Sequence, residues 1–184
     1  MMFARLRTAA VWLVTALYPV AIYFGLGHFE PRWLALLLLA LAVARMLGDK
    51  SPFWRVAAIC AGLLVVATSL TNAALPLKLY PVLVNALMLV VFASSLWHPP
   101  SIIERWQRLK TPDLSAAGVA YTRTVTWVWS LFFVGNGSIA LATALWGSDK
   151  AWMLYNGSIA YCLMGALFLG EWLVRRRVQM ARLA

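Results

Sequence analysis

The chain has 184 residues, 63% of them hydrophobic and 12% charged, with ten Trp and a formal net charge of +10. That profile leaves the range of soluble domains for that of membrane proteins. The basic residues form short clusters between apolar runs, which excludes a nucleic-acid-binding stripe, and Cys60 and Cys162 lack C-x-x-C or metal-ligand spacing, which excludes a disulfide framework and a zinc site.

The first element opens on MMFARLRTAAVWLVTALYPVAIYFG, basic and then apolar, as a signal peptide begins. The run outlasts a signal peptide and has no A-x-A-like cleavage site, so a retained membrane helix is expected over about 8–27. Five further apolar runs follow at about 32–48, 54–75, 80–97, 123–146 and 152–174, each near the length that crosses a bilayer. Their hydrophobicity is continuous and not alternating, which predicts helices over barrel strands. The expected fold is all-α, a polytopic membrane bundle of about six transmembrane helices forming one integral domain.

With the N-terminus inside, thirteen of the sixteen Lys and Arg fall on the cytoplasmic side: Arg5, Arg7, Arg45, Lys50, Arg55, Arg105, Arg108, Lys110, Arg123, Arg175, Arg176, Arg177 and Arg182. Arg32, Lys78 and Lys150 are left outside. Such asymmetry sets orientation, so both termini are expected in the cytoplasm. Trp33, Trp97, Trp146 and Trp152 fall at span ends, where amphipathic rings prefer to lie.

The one substantial loop, 98–122, is cytoplasmic on this reading. After Pro99 and Pro100, Ser101 and Glu104 form an S-x-x-E capping box that starts a helix, and Pro112 ends it. Ile102, Ile103, Trp106 and Leu109 recur at helical spacing opposite Arg105, Arg108 and Lys110, the pattern of a short amphipathic helix on the inner leaflet. It serves either as an anchor drawn to anionic lipid or, with Arg123, as a docking surface for an acidic soluble partner.

Polar residues in the spans cluster on faces: Thr68, Ser69 and Asn72, then Thr122, Thr126 and Ser130. Asn72, Asn85, Asn136 and Asn156 fall in the outer half, and lipid would leave their amides unpaired, so they are expected to face the bundle. They either hydrogen-bond between helices, with Gly137 and Gly157 permitting close approach, or line a polar cavity for a headgroup or small solute. NGSIA occurs twice, at Asn136–Ala140 and Asn156–Ala160. Asn-Gly signals a turn in soluble chains, but a turn within a span strands backbone groups in lipid. Folding the last two spans back at GSDK offsets the copies in depth by about 7 Å and places Asn156, not Asn136, level with Asn85. LYPV also recurs, at Leu17–Val20 and Leu79–Val82, but Pro19 falls mid-span and Pro81 at a span edge, which argues against an inverted-repeat transporter.

Glu171, Arg45 and Arg123 lie near the cytoplasmic boundary and no acid lies near the midplane, which argues against ion-coupled transport. Glu171 precedes Arg175 by four residues, the spacing of a helical ion pair; the alternative is a bridge from Glu171 to Arg123 or Arg45 on other helices. The G-x-S-x-G elbow, H-E-x-x-H and phosphate-cradling glycine loop are missing, and His98 has Ile103 where an acyltransferase-type H-x-x-x-x-D places its acid. No catalytic residue, metal or cofactor is assigned. A His98 and Glu104 acid/base pair at the leaflet surface is the one enzymatic arrangement the sequence offers.

YPVLVN, SLWHPPSIIERWQRLKTPDLSAAGVAYTRTVTWVWSLFFVGNGSIALATALW and WMLYNGSIAYCLMGALFLGEWLVRRRV resemble a family of small bacterial inner-membrane proteins of uncharacterised activity. Its members typically occur beside genes for aryl polyene (xanthomonadin-type) pigment and related fatty-acid synthesis. The resemblance covers roughly residues 80 to 177; the family favours a smaller residue at Gln107 and a Cys at Ser130, so an essential thiol there is disfavoured. The resemblance implies a pathway context. Acyl carrier proteins are acidic, and the basic inner-leaflet surface of Arg105, Arg108, Lys110, Arg123 and Arg175 to Arg177 would attract one. The leading expectation is a non-catalytic accessory that organises synthesis enzymes or carrier proteins at the phospholipid bilayer. A small transporter or flippase for a lipid-like product is the alternative, and an enzyme using His98 and Glu104 the third.

Overall fold

The computed structural model describes residues 24–25, 30–48, 52–71 and 74–180. The expected first span, the N-terminal arginines Arg5 and Arg7, Lys50, Asn72 and Arg182 lie outside the described residues, as do the side chains of Arg45 and Arg177. The described chain is all-α: α1 (Pro31–Gly48), α2 (Pro52–Thr71), α3 (Leu75–Lys78), α4 (Tyr80–Trp97), α5 (Ile102–Arg108), α6 (Ala116–Trp146), α7 (Asp149–Leu154) and α8 (Ala160–Met180). A π-helical turn, Tyr155–Ile159, joins α7 to α8.

Three stretches are long and apolar enough to cross a membrane: Leu75–Trp97, Ala116–Trp146 and Asp149–Arg176. Among the described residues that makes three, not the six expected over the whole chain, whose expected first span lies outside those residues. Within α1 and α2, helices of 18 and 20 residues, the described apolar stretches are Pro31–Ala44 and Ala58–Leu70, each shorter than a span.

The three long stretches also start earlier than hydropathy placed them. Pro76 sits in the first turn of α3, and Pro81, which has no N–H to donate, follows the interruption between α3 and α4. Ser115 caps α6 by accepting from the Gly118 amide at 3.3 Å, so the Ala-rich AAGVAYT joins the helix. At 31 residues α6 is about 46 Å long, and the connector between α4 and α6 is correspondingly shorter than 98–122. Ser148 caps α7 through the Ala151 amide at 3.2 Å. Exposed apolar side chains run along these helices, among them Val90, Leu131, Leu163 and Leu169. A surface of that kind suits a hydrocarbon solvent.

The chain divides into two compact units, residues 1–84 with 137–158, and residues 85–136 with 159–184. In the first, α1 packs against α2 through Ala35, Leu38, Ala42, Ala58, Ala61 and Leu64, with Leu77, Ala144 and Trp152 joining the same cluster. The small side chains let the helix backbones approach, the usual packing solution where water provides no drive. Trp152 is 1% exposed and its indole N–H donates to the Lys78 carbonyl at 3.0 Å. Lys78 also pairs with Asp149. Thr68 is wholly buried and, among the described residues, its hydroxyl has no partner.

In the second unit the core is Phe92, Ile103, Val125, Trp129 and Phe133. Phe92 meets Phe133 edge-on at 5.1 Å between centroids, and Trp129 lies 4.5 Å from Phe168 of α8. Ile103 brings the connector helix α5 into this core.

Candidate functional site

The connector between α4 and α6 leaves the membrane helix through a cis Pro99–Pro100 bond. Ser95, near the end of α4, donates to the Phe92 carbonyl at 2.7 Å and accepts from the Ile102 amide at 2.9 Å. One hydroxyl thus satisfies a first-turn donor of α5 that the helix itself leaves unpaired. Ser101 supplies a second cap, accepting from the Glu104 amide at 3.4 Å. Only this half of the expected capping box forms. The Glu104 carboxylate is buried and turns forward to Arg108, at 2.9 Å from Nε and 2.7 Å from Nη2. Arg108 closes the far end of the helix by donating to the Pro112 carbonyl at 3.0 Å; α5 ends at Arg108, four residues before the proline.

This geometry sorts the basic residues named from the sequence. Arg108 is occupied in holding Glu104 and the α5 terminus. Arg105 folds back to donate to the carbonyls of Pro100 at 2.7 Å and His98 at 3.1 Å, yet it remains exposed, as do Lys110 and Arg123. Among the described residues, none of these three is paired with a carboxylate. The apolar positions divide as well. Ile103 is buried in the core, whereas Trp106 and Leu109 are 56% and 83% exposed. Trp106 still touches Phe92, edge to face at 6.2 Å.

A second cluster ties α5 and α6 to α8. Arg175 donates from Nε to Glu171 Oε1 at 2.8 Å, with Nη2 2.6 Å from the same oxygen, and from Nη1 to Gln107 Oε1 at 3.0 Å. The Tyr121 hydroxyl donates to Glu171 Oε1 at 3.1 Å. The Glu171–Arg175 pair therefore forms along its own helix, and the group that reaches Glu171 from another helix is Tyr121. The roles of Tyr121, Gln107 and Ser95 were not found from the sequence. Gln107 and Tyr121 are joined to partners 68 and 50 residues away, for which no local spacing exists. Beside this cluster a cleft of about 300 Å³ opens between α6 and α8, walled by Tyr121, Val125 and Trp129 on one side and Ala166, Gly170 and Glu171 on the other.

The amides occupy two places. Asn136 Nδ2 donates to Asn85 Oδ1 at 3.0 Å, with both residues buried. Asn136, not expected to be level with Asn85, thus bonds to it: the stretch bearing Asn85 begins at Leu75 and not near 80, so Asn85 lies ten residues from its start as Asn136 lies ten from the end of α6 at Trp146. Asn156 is also buried, in the first unit, where Nδ2 donates to the Trp152 carbonyl at 2.9 Å and to Thr143 Oγ1 at 3.3 Å. The first NGSIA copy is regular α-helix and the second begins within the π turn. Thr126 and Ser130 donate to carbonyls four residues back at 2.8 and 2.9 Å, and Thr122 to one three back at 2.9 Å.

His98 Nδ1 lies 3.1 Å from the Ser94 carbonyl, while the Glu104 carboxylate faces Arg108. Each member of the expected acid/base pair thus has another partner. Among the described residues no group of three His, Cys, Asp or Glu side chains could hold a metal ion. No protein-family model, curated protein or solved structure matches the chain.

Proposed function

We propose that this chain is a multi-pass component of the bacterial inner membrane that presents a basic docking surface to an acidic soluble partner and performs no chemistry itself. The partner class that fits is an acyl carrier protein or the soluble enzymes of aryl polyene and fatty-acid-type synthesis, the context implied by the family resemblance. The observation that carries this reading is the way α5 is held. Ser95 at its start, Ile103 in the core and Gln107 on Arg175 fix it from three sides, while Arg105, Lys110 and Arg123 stay exposed without a carboxylate partner. Cations on a fixed frame give a directed field, which speeds encounter with an acidic protein and sets its orientation.

Charge along the chain supports the side assigned. The connector and the end of α8 fall on one side of three crossings, with Arg105, Arg108, Lys110, Arg175 and Arg176 close by, against Lys78 and Lys150 on the other. Positive charge marks the cytoplasmic face. The transporter reading has less support, because Asn85 and Asn136 are bonded to each other and Asn156 to Trp152 and Thr143.

The test is co-purification of acyl carrier protein from detergent-solubilised membranes. The Arg105→Glu, Lys110→Glu, Arg123→Glu triple variant is expected to lose it, and added salt to weaken it in the wild type. Arg108 is left intact so that α5 stays folded. Retention of carrier by the triple variant at the wild-type level sinks the reading.

A further inference from the structure

We propose that the cleft between α6 and α8 is a binding site for one phospholipid with an ethanolamine headgroup, its acyl chain along the apolar walls and its zwitterion on the Glu171–Arg175 pair. At about 300 Å³ the cleft lies at the small end of ligand sites, which run to about 1,000 Å³. Val125, Trp129, Ala166 and Gly170 give it hydrocarbon walls, and Glu171 is the one charged group lining it.

The glycine shows that the space is open. A Cβ built on Gly170 meets no atom within 4 Å, so this residue does not serve close packing within the chain and instead widens the cleft.

The hydrogen bonds at its edge show which headgroup fits. Tyr121 and the Nε and Nη2 of Arg175 converge on Glu171 Oε1, and among the described residues no donor meets Oε2, whose lone pairs can take another. Arg175 uses three of its five N–H donors, two on Glu171 and one on Gln107. An accepting carboxylate oxygen and a guanidinium with N–H groups to give thus stand side by side. That is the complement of an ammonium next to a phosphate. Choline has no N–H for the carboxylate, and a glycerol headgroup has no positive charge.

The test uses the full chain, purified in detergent and titrated with phosphatidylethanolamine, phosphatidylcholine and phosphatidylglycerol of identical acyl chains, with retained lipid counted by native mass spectrometry. One ethanolamine lipid per chain is expected to survive activation, favoured about tenfold over the choline lipid, the worth of one charge-assisted hydrogen bond. Glu171→Gln should level the two lipids. Gly170→Leu should abolish retention with an unchanged melting temperature, since its side chain enters open space; it keeps the proposal testable if Glu171→Gln disturbs the helix contacts. Equal retention of the three lipids, preference for the glycerol lipid, or undiminished retention by Gly170→Leu overturns the proposal. So does a dimer that Gly170→Leu converts to monomer with lipid retention unaltered, which would assign the cleft to a second copy.

Discussion

Arg108→Met is expected to destabilise the protein far more than its half-exposed position suggests. The Glu104 side chain is 8% exposed and that of Arg108 40%, so the substitution leaves a buried carboxylate without its cation. Breaking a fully buried pair from one side costs about 3–5 kcal/mol. The solvent that reaches Arg108 screens part of this, so about 2–3 kcal/mol is expected. The reverse change is milder. Glu104→Leu leaves a guanidinium that still donates to Pro112 and can turn to water, for about 1 kcal/mol or less. In the Glu104→Leu, Arg108→Met double variant no charge is stranded, and most of the loss should be recovered. Thermal unfolding in detergent, followed by Trp fluorescence, reports the effect because Trp106 of α5 rests on Phe92. Equal destabilisation by the two single changes, or a double variant as unstable as Arg108→Met, refutes the reasoning.

Thr68→Val should raise the melting temperature, gaining about 1–2 kcal/mol, because a buried hydroxyl without a partner is removed; a loss of stability would mean that the hydroxyl has a function in the fold. A double-mutant cycle on Asn85→Ala and Asn136→Ala should return a coupling of about 0.6–2 kcal/mol, the range of hydrogen bonds between membrane helices, and additivity would count against the 3.0 Å bond. Trp152→Phe should cost about 1–3 kcal/mol by leaving the Lys78 carbonyl unpaired; an unchanged melting temperature counts against that bond. In a chain lacking Cys60 and Cys162, single cysteines placed at Thr111 and Ser148 should be labelled from opposite faces of sealed vesicles, and labelling from one face would break the three-span reading.

The sequence carries the class and the long helices because hydropathy over about 20 residues is a local sum. It does not carry their ends. Ser115 and Ser148 are cap residues recognisable in retrospect, but the Ala-rich turn after Ser115 has too little hydropathy to be counted with a span. The site was legible where partners share a helix. Glu171 and Arg175 are spaced for an ion pair, and so are Glu104 and Arg108, yet the second pair was read as a cap and a docking cation because burial, which decides between those uses, is tertiary. NGSIA makes the same point. One pentapeptide is α-helical at Asn136 and starts in a π turn at Asn156, so its geometry comes from its neighbours.

The clasp from Gln107 to Arg175 spans 68 residues, and this gives assembly a clock. Chains grow at about 5–20 residues per second, so α5 leaves the ribosome roughly 3 to 14 seconds before its last fastener is made. During that interval the connector can rest on Ser95 and the neighbouring core, with Glu171 and Arg175 still to be synthesised. The last helix therefore closes a structure begun well before it, and a nascent chain halted ahead of Glu171 should display α5 unclasped.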